Sequence, residues 1–455
     1  MQIYLYFVEE CVYLKNGKRM SSVLKMFLAS VAALPAIVSC VNTNAEWVED
    51  PANDKLVHVC GRIENTPASN VRIGLHGVTD IVHGGASFTI PVKDGSFAAD
   101  VPLNSENVYE LDVPLERHYS ACRFAIFFAD RDTVRLLFDA DGHNYTLDTD
   151  GENQAYQQYR NACTERFASE NTALSEEYAS IGQHWSDAYQ QLTRQIQDRH
   201  IAVSARDTMK LIQDRMCADS SAYTPAYRAY LAKRNRLGKA GLDFTRDYLE
   251  RRKPSLALFE VLFESLQQAS DLDYDYPGWA LVYDREYSNK FAGSRLHQAV
   301  ESIRNAHRIQ EGTPFIDFTL PDKDGVPQTL STLIEGKYAL LQFWATWCSP
   351  CITKRETVRP LYEQYKDRGF TVVEVAREFK SDSAWRDFLK KDGADWTDLL
   401  AMEENHSVWI EYGLGPASGG LFLIDPEGTI IKIDPSKEDI QALCESLSGS
   451  HTVMK

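Results

Sequence analysis

Beyond Val38 the chain carries no long apolar run, so nothing after that point is suited to cross a bilayer as a helix. It is short of positive charge as well: 48 Lys and Arg stand against 65 Asp and Glu, a formal net charge of -17. That balance argues against a nucleic-acid partner and against electrostatic docking on anionic lipid. Metal-ligand spacing is also lacking. There is one C-x-x-C, no second Cys pair and no His pair at finger spacing, so a structural zinc site would be missing two ligands. His58, His76, His83, His118 and His143 are scattered with no recurring interval. We expect no metal.

What the chain does have at its front is a leader. Lys15, Lys18, Arg19 and Lys25 precede the apolar stretch Met26 to Val38, which is too short to span a bilayer and has signal-peptide flanks. It ends in Ile37-Val38-Ser39-Cys40, which resembles a bacterial lipobox. The resemblance implies cleavage before Cys40, lipidation of Cys40, and an exported protein touching the membrane through its lipid alone. An ordinary secretory signal cut nearby is the alternative. Residues 1–45 are read as leader, with Met20 a second candidate start beside Met1.

From Leu56 to Asp148 short apolar alternations follow one another: Val71, Ile73 and Leu75, then Phe88, Ile90 and Val92, then Phe97, Ala99 and Val101. Lys93-Asp94-Gly95-Ser96 reads as a hairpin turn. The pattern predicts an antiparallel β-sandwich or barrel over residues 54–150. Residues 151–310 read as a helical connector. Trp185, Tyr189, Leu192 and Ile196 recur at helical spacing, and Ser255 stands as a cap ahead of Leu256. The many aromatic residues here are expected to pack between helices.

The chemistry concentrates at Phe343-Trp344-Ala345-Thr346-Trp347-Cys348-Ser349-Pro350-Cys351. An apolar run, Tyr338 to Trp344, predicts a buried strand. Val358, Leu361, Tyr362 and Tyr365 predict a helix after it. Cys348 then sits at a helix N-terminus, where unpaired N–H groups and the helix dipole favour thiolate over thiol. Cys351, one turn on, can close a short disulfide, and Pro350 suits the first helical turn. These parts suffice for thiol–disulfide exchange without a bound cofactor: the reversible Cys348–Cys351 disulfide is the redox group. Cys11 and Cys40 belong to the leader; of the remaining Cys60, Cys122, Cys163, Cys217 and Cys444, an odd number, no pairing can be read from spacing. Cys444, on a face with Ile440 and Leu443, fits a buried inert thiol.

These residues carry a resemblance. The Trp344–Cys351 stretch is similar to the active site of the TlpA/ResA-like branch of thioredoxin-fold proteins. The match continues in Gly312-Thr313-Pro314-Phe315, Gly369-Phe370-Thr371-Val372-Val373 and Phe422-Leu423-Ile424-Asp425-Pro426. It implies an α/β thioredoxin-like domain over residues 311–449, in which Cys348 attacks and Cys351 resolves. The β-rich segment looks like the β-domain of unknown role that precedes thioredoxin domains in many Bacteroidetes lipoproteins. The resemblance further implies a multidomain envelope lipoprotein that reduces disulfides of exported proteins, fed by a membrane-borne thiol electron donor.

Three positions depart from the family. Gln342 stands where thioredoxins carry a buried acid, and an amide takes no proton. Lys354 and Glu356 replace an acid and a proline after the second cysteine. Pro416 lies upstream of the place of the family's proline before Leu421, which Ser418-Gly419 occupies. Trp347 and Pro350 support the motif. Lys354, one helical turn past Cys351, is expected near the dithiol as a charge that stabilises thiolate. Two other functions compete. A thiol peroxidase would need Thr at Ala345. A binding or assembly lipoprotein would use the redox fold as scaffold.

Overall fold

The computed structural model describes residues 54–447 except 64–68, 76–87, 114–122, 139–144, 148–149, 198–208, 210–211, 214, 293, 379–380, 403–406 and 415–418. The leader with Cys40, and also Cys122 and Pro416, lie outside the described residues. The chain divides after His297 into two compact units. Among the described residues no helix is long and apolar enough to cross a membrane.

In the first unit, β1 (Asp54–Arg62), β4 (Ser96–Asn104), β7 (Thr133–Phe138) and β8 (Tyr145–Leu147) form one sheet in the order β4-β1-β7-β8. β2 (Asn70–Leu75), β3 (Phe88–Pro91), β5 (Val108–Val113) and β6 (Arg123–Phe128) form the other, β3-β2-β5-β6. Every second side chain turns inward, as period-two patterning requires: Val71 and Ile73, Leu111 and Val113, Val134 and Leu136 are buried. Two details differ from the sequence reading. β1 runs parallel to β7, with His58 opposite Thr133, so the sandwich is not wholly antiparallel. A parallel neighbour needs a long crossover, and here the whole second sheet supplies it. The Asp94-Gly95 turn does form, with both residues at positive φ (49° and 72°). It passes the chain from one sheet to the other, because β3 pairs with β2 and β4 with β1.

The helices of this unit are α1 (Gly151–Ser180), α2 (Asp187–Gln197), α3 (Pro225–Glu250), α4 (Leu256–Asp271) and α5 (Tyr276–Glu286). α1 is fastened to the sandwich by a two-way bond. The Asn153 side chain accepts from Phe128 N–H (3.0 Å) and donates to Phe128 C=O (2.7 Å). Glu152 accepts the Ala257 N–H (2.9 Å) at the start of α4, where the Ser255 hydroxyl accepts from Leu258 N–H (3.4 Å). Tyr223, Tyr227 and Tyr230 are buried with Leu231 against Tyr178 and Trp185. The aromatic residues of the helices thus pack as core.

The second unit opens in α6 (Arg295–Arg308) and is built on one sheet, β13-β12-β11-β14-β15. β11 (Tyr338–Trp344), β12 (Phe370–Arg377) and β13 (Thr397–Ala401) are parallel; β14 (Gly420–Ile424) and β15 (Ile430–Ile433) run antiparallel. A small ribbon, β9 (Thr319–Pro321) and β10 (Pro327–Thr329), precedes the short helix α7 (Leu330–Ile334). α8 (Ser349–Tyr365) and α11 (Lys437–Leu447) cover one face, burying Leu340, Val372 and Leu423. The other face packs Leu341, Phe343 and Val375 against Trp409 of α10 (Ser407–Glu411). α9 (Ser383–Asp392) brings Trp385 onto the first face beside Trp344. α8 runs to Tyr365, the last position of its apolar spacing, and passes into a 3-10 turn, Lys366–Arg368, closed by Gly369 at φ 90°. The last helix begins at a capping box: Ser436 and Asp439 exchange bonds of 2.9 and 3.1 Å.

Candidate active site

β11 lies in the middle of its sheet, so its C-terminal end delivers the Ala345–Trp347 loop directly into α8. Cys348 is the N-cap of α8 and Pro350 occupies the first turn. The Cys351 N–H approaches Cys348 Sγ at 3.3 Å. The two sulfurs are joined in a disulfide. Cys348 and Trp347 are half-buried, Pro350 is exposed and Cys351 is buried. An incoming sulfur therefore meets Cys348 first. Gly419 presses on the other side: a methyl added there would stand 3.0 Å from Cys351 Sγ and 2.5 Å from Phe343 O. The glycine is needed for that close approach.

Beneath the disulfide the sheet is polar in one row. Gln342 of β11, Glu374 of β12 and Asp398 of β13 are register partners on the face that α8 covers. All three are buried. Gln342 donates from Nε2 to Cys351 C=O (3.0 Å), so it holds the start of α8. Glu374 and Asp398 meet Arg355, four residues after Cys351 and 1% exposed. Arg355 grips Asp398 with both terminal nitrogens (2.8 and 3.2 Å) and Asp392 through Nε (3.0 Å). Trp396 Nε1 donates to Glu374 (3.0 Å), and Arg359 donates to Asp392 C=O (2.9 Å). Burial pushes the Asp398 carboxyl up to about 6 even though Arg355 pulls it down.

Lys354 and Glu356 do not join this arrangement. Both are exposed, because Cys351, Arg355, Val358 and Tyr362 form the sheet-facing seam of α8. The cation one turn past Cys351 is thus Arg355, and the expectation placed on Lys354 is corrected. An exposed ammonium is screened over about 8 Å at physiological ionic strength. Lys354→Glu is expected to leave the dithiol potential unchanged at that salt, measured by equilibration with glutathione. Sequence patterning passed over Arg355, Glu374 and Asp398. Their signal was a single charge inside each apolar strand and the i, i+4, i+7 seam on the helix.

One more carboxyl lies at the loop. Glu378, just past β12, is buried and accepts from Thr346 N–H at 3.4 Å. Burial raises its pKa above the ordinary carboxylate value.

The C-terminal part of the chain is similar to known proteins. Residues 312–433 match the AhpC/TSA family. The thiol-disulfide oxidoreductase ResA of Bacillus subtilis (strain 168) is 32% identical over 141 residues, which span 31% of this chain and 75% of that protein. ResA of Geobacillus thermodenitrificans (strain NG80-2) is 32% identical over 143 residues, 30% of this chain and 79% of that protein. Among solved structures, the thioredoxin domain of a thiol-disulfide oxidoreductase from Bacteroides vulgatus is 25% identical and covers 30% of this chain and 97% of that chain, with a TM-score of 0.28. Through its C-terminal third the chain belongs to the ResA/TlpA-like thiol-disulfide oxidoreductases of the thioredoxin fold.

Proposed function

We propose that the protein reduces disulfides of exported proteins, with Cys348 as attacking and Cys351 as resolving sulfur. The observation that carries this reading is the asymmetry of the pair: Cys348 half-buried at a helix N-cap, Cys351 buried behind it. In the reduced enzyme the Cys348 thiolate attacks one sulfur of a substrate disulfide. The other substrate sulfur leaves as thiolate and takes a proton. Cys351 then loses its proton and attacks Cys348 Sγ, which closes the enzyme disulfide and frees the second substrate thiolate. Two electrons pass to the substrate in each cycle. A membrane-borne thiol donor runs the same steps backwards to restore the dithiol. No bound cofactor takes part, and no nucleic acid is a partner. The lipobox-like Cys40 supports placement in the cell envelope on a lipid anchor.

The full chain should accelerate insulin reduction by dithiothreitol, read as turbidity. Failure to do so would favour the binding-lipoprotein alternative. In a bacterial host the intact protein should partition with membranes and Cys40→Ser should release it; equal partitioning of the two forms would sink the anchor.

A further inference from the structure

The reaction moves protons as well as electrons, and Gln342 cannot titrate. Glu374 and Asp398 are tied to Arg355. Glu378 is placed differently. It follows β12 on the face of Glu374 and Ala376, since side chains alternate along a strand. Its backbone is held to β13 by its own N–H donating to Ala401 C=O (3.2 Å). Its carboxyl, on a residue 6% exposed, accepts from the Thr346 N–H (3.4 Å), two residues before Cys348.

We propose that Glu378 is a positioning and charge-setting residue of the dithiol, acting through the Thr346–Cys348 loop. This inference rests on the reading of Cys348 as the attacking sulfur. The carboxyl fixes the loop by its bond to Thr346, and its charge opposes a second negative charge on Cys348. Ionised Glu378 therefore disfavours the thiolate and favours the disulfide; protonated or neutralised, it releases both effects. Burial is the largest influence and raises its pKa, the Thr346 hydroxyl and N–H lower it, and the Asp382 carboxylate raises it. Asp382 is itself held by Arg386 (2.6 Å), which weakens its part.

The test uses the reduced full chain and Glu378→Gln. Glutamine keeps an oxygen for the Thr346 N–H and removes the charge. Cys348 alkylation by iodoacetamide is followed against pH, with mass spectrometry assigning the site. The midpoint should fall by about 0.5 pH unit or more, the direction expected when a like charge is removed. The potential against glutathione should become less negative. Glu378→Ala should show the same midpoint shift and also lose the loop bond; if it fails to fold, the glutamine variant decides alone. A Glu378→Gln profile superimposed on that of the parent overturns the proposal, even if insulin reduction falls, since that would be a merely structural role. If the parent chain itself does not reduce insulin, the function reading fails; if it does and the midpoint stays put, only the role of Glu378 fails.

Discussion

Cys351→Ser is expected to hold substrate proteins covalently on Cys348 while turnover collapses. With the resolving thiol gone, the mixed disulfide can be cleared only by thiols from solution. An attack within a well-oriented site has an effective molarity on the order of 10⁵ M or more, so turnover should fall on the order of 10³-fold or further. Cys351 is buried behind Cys348 and one helical turn from it, the relation such an internal attack needs. Non-reducing gels of cell extracts, with mass spectrometry of the adducts, should show partners on Cys351→Ser. Cys348→Ser should show none, because the thiol it leaves is covered. Adducts on Cys348→Ser instead, or near-normal insulin reduction by Cys351→Ser, would exchange or remove the two roles.

Arg355→Ala should destabilise the second unit by about 3–5 kcal/mol, the cost of leaving buried charge without its partner. Arg355 and Glu374 each have side chains 1% exposed, so solvent does little to screen the loss. Arg355→Lys should recover only part of it, since an ammonium cannot grip Asp398 with two nitrogens and reach Asp392 as well. The variant should also be least impaired in acid. In the folded parent Asp398 titrates at about 6 against an ordinary 3.8. The folded state thus holds that proton more tightly. Asp398's contribution to stability falls as pH rises from about 4 to about 6 and is flat above. Removing the guanidinium takes away the influence that lowers Asp398, so the decline extends to higher pH. Urea unfolding of the intact chain, read by pulse proteolysis at pH 5 and pH 8, measures both effects. A loss under about 1 kcal/mol at pH 8 would mean the cluster is wetter than its burial says.

Much of the redox unit could be read ahead of its structure, for a definable reason. β11 is an uninterrupted apolar run, α8 begins at a Ser-Pro pair, and Ser436 with Asp439 spells a capping box; each is a local signal. What escaped is non-local. β13 carries no clear strand signal, because Asp398 breaks the apolar pattern of Thr397–Ala401, and the group that makes a charge tolerable there, Arg355, lies 43 residues earlier on a helix. Lys354 and Arg355 are neighbouring cations, and sequence distance from Cys351 favours neither. Helical phase decides between them, because only Arg355 continues the seam through Val358 and Tyr362. The Asp94-Gly95 turn shows the same limit. Its conformation was legible in two residues; which strands it would join was settled by partners far along the chain.

The place of β1 in its sheet bears on how the polypeptide emerges from the ribosome. Residues 54–62 are the earliest strand described, yet one of their edges waits for β7, and His58 cannot pair with Thr133 until that later segment has been made. Asn153 must then arrive to satisfy the Phe128 backbone. Contacts this distant in sequence slow folding, since the closure entropy precedes the gain. A nascent chain stopped before β7 therefore has no finished sandwich to fall into. Until then β1 holds only its β4 edge, and the sheet is joined at its centre only after the whole second sheet has been made.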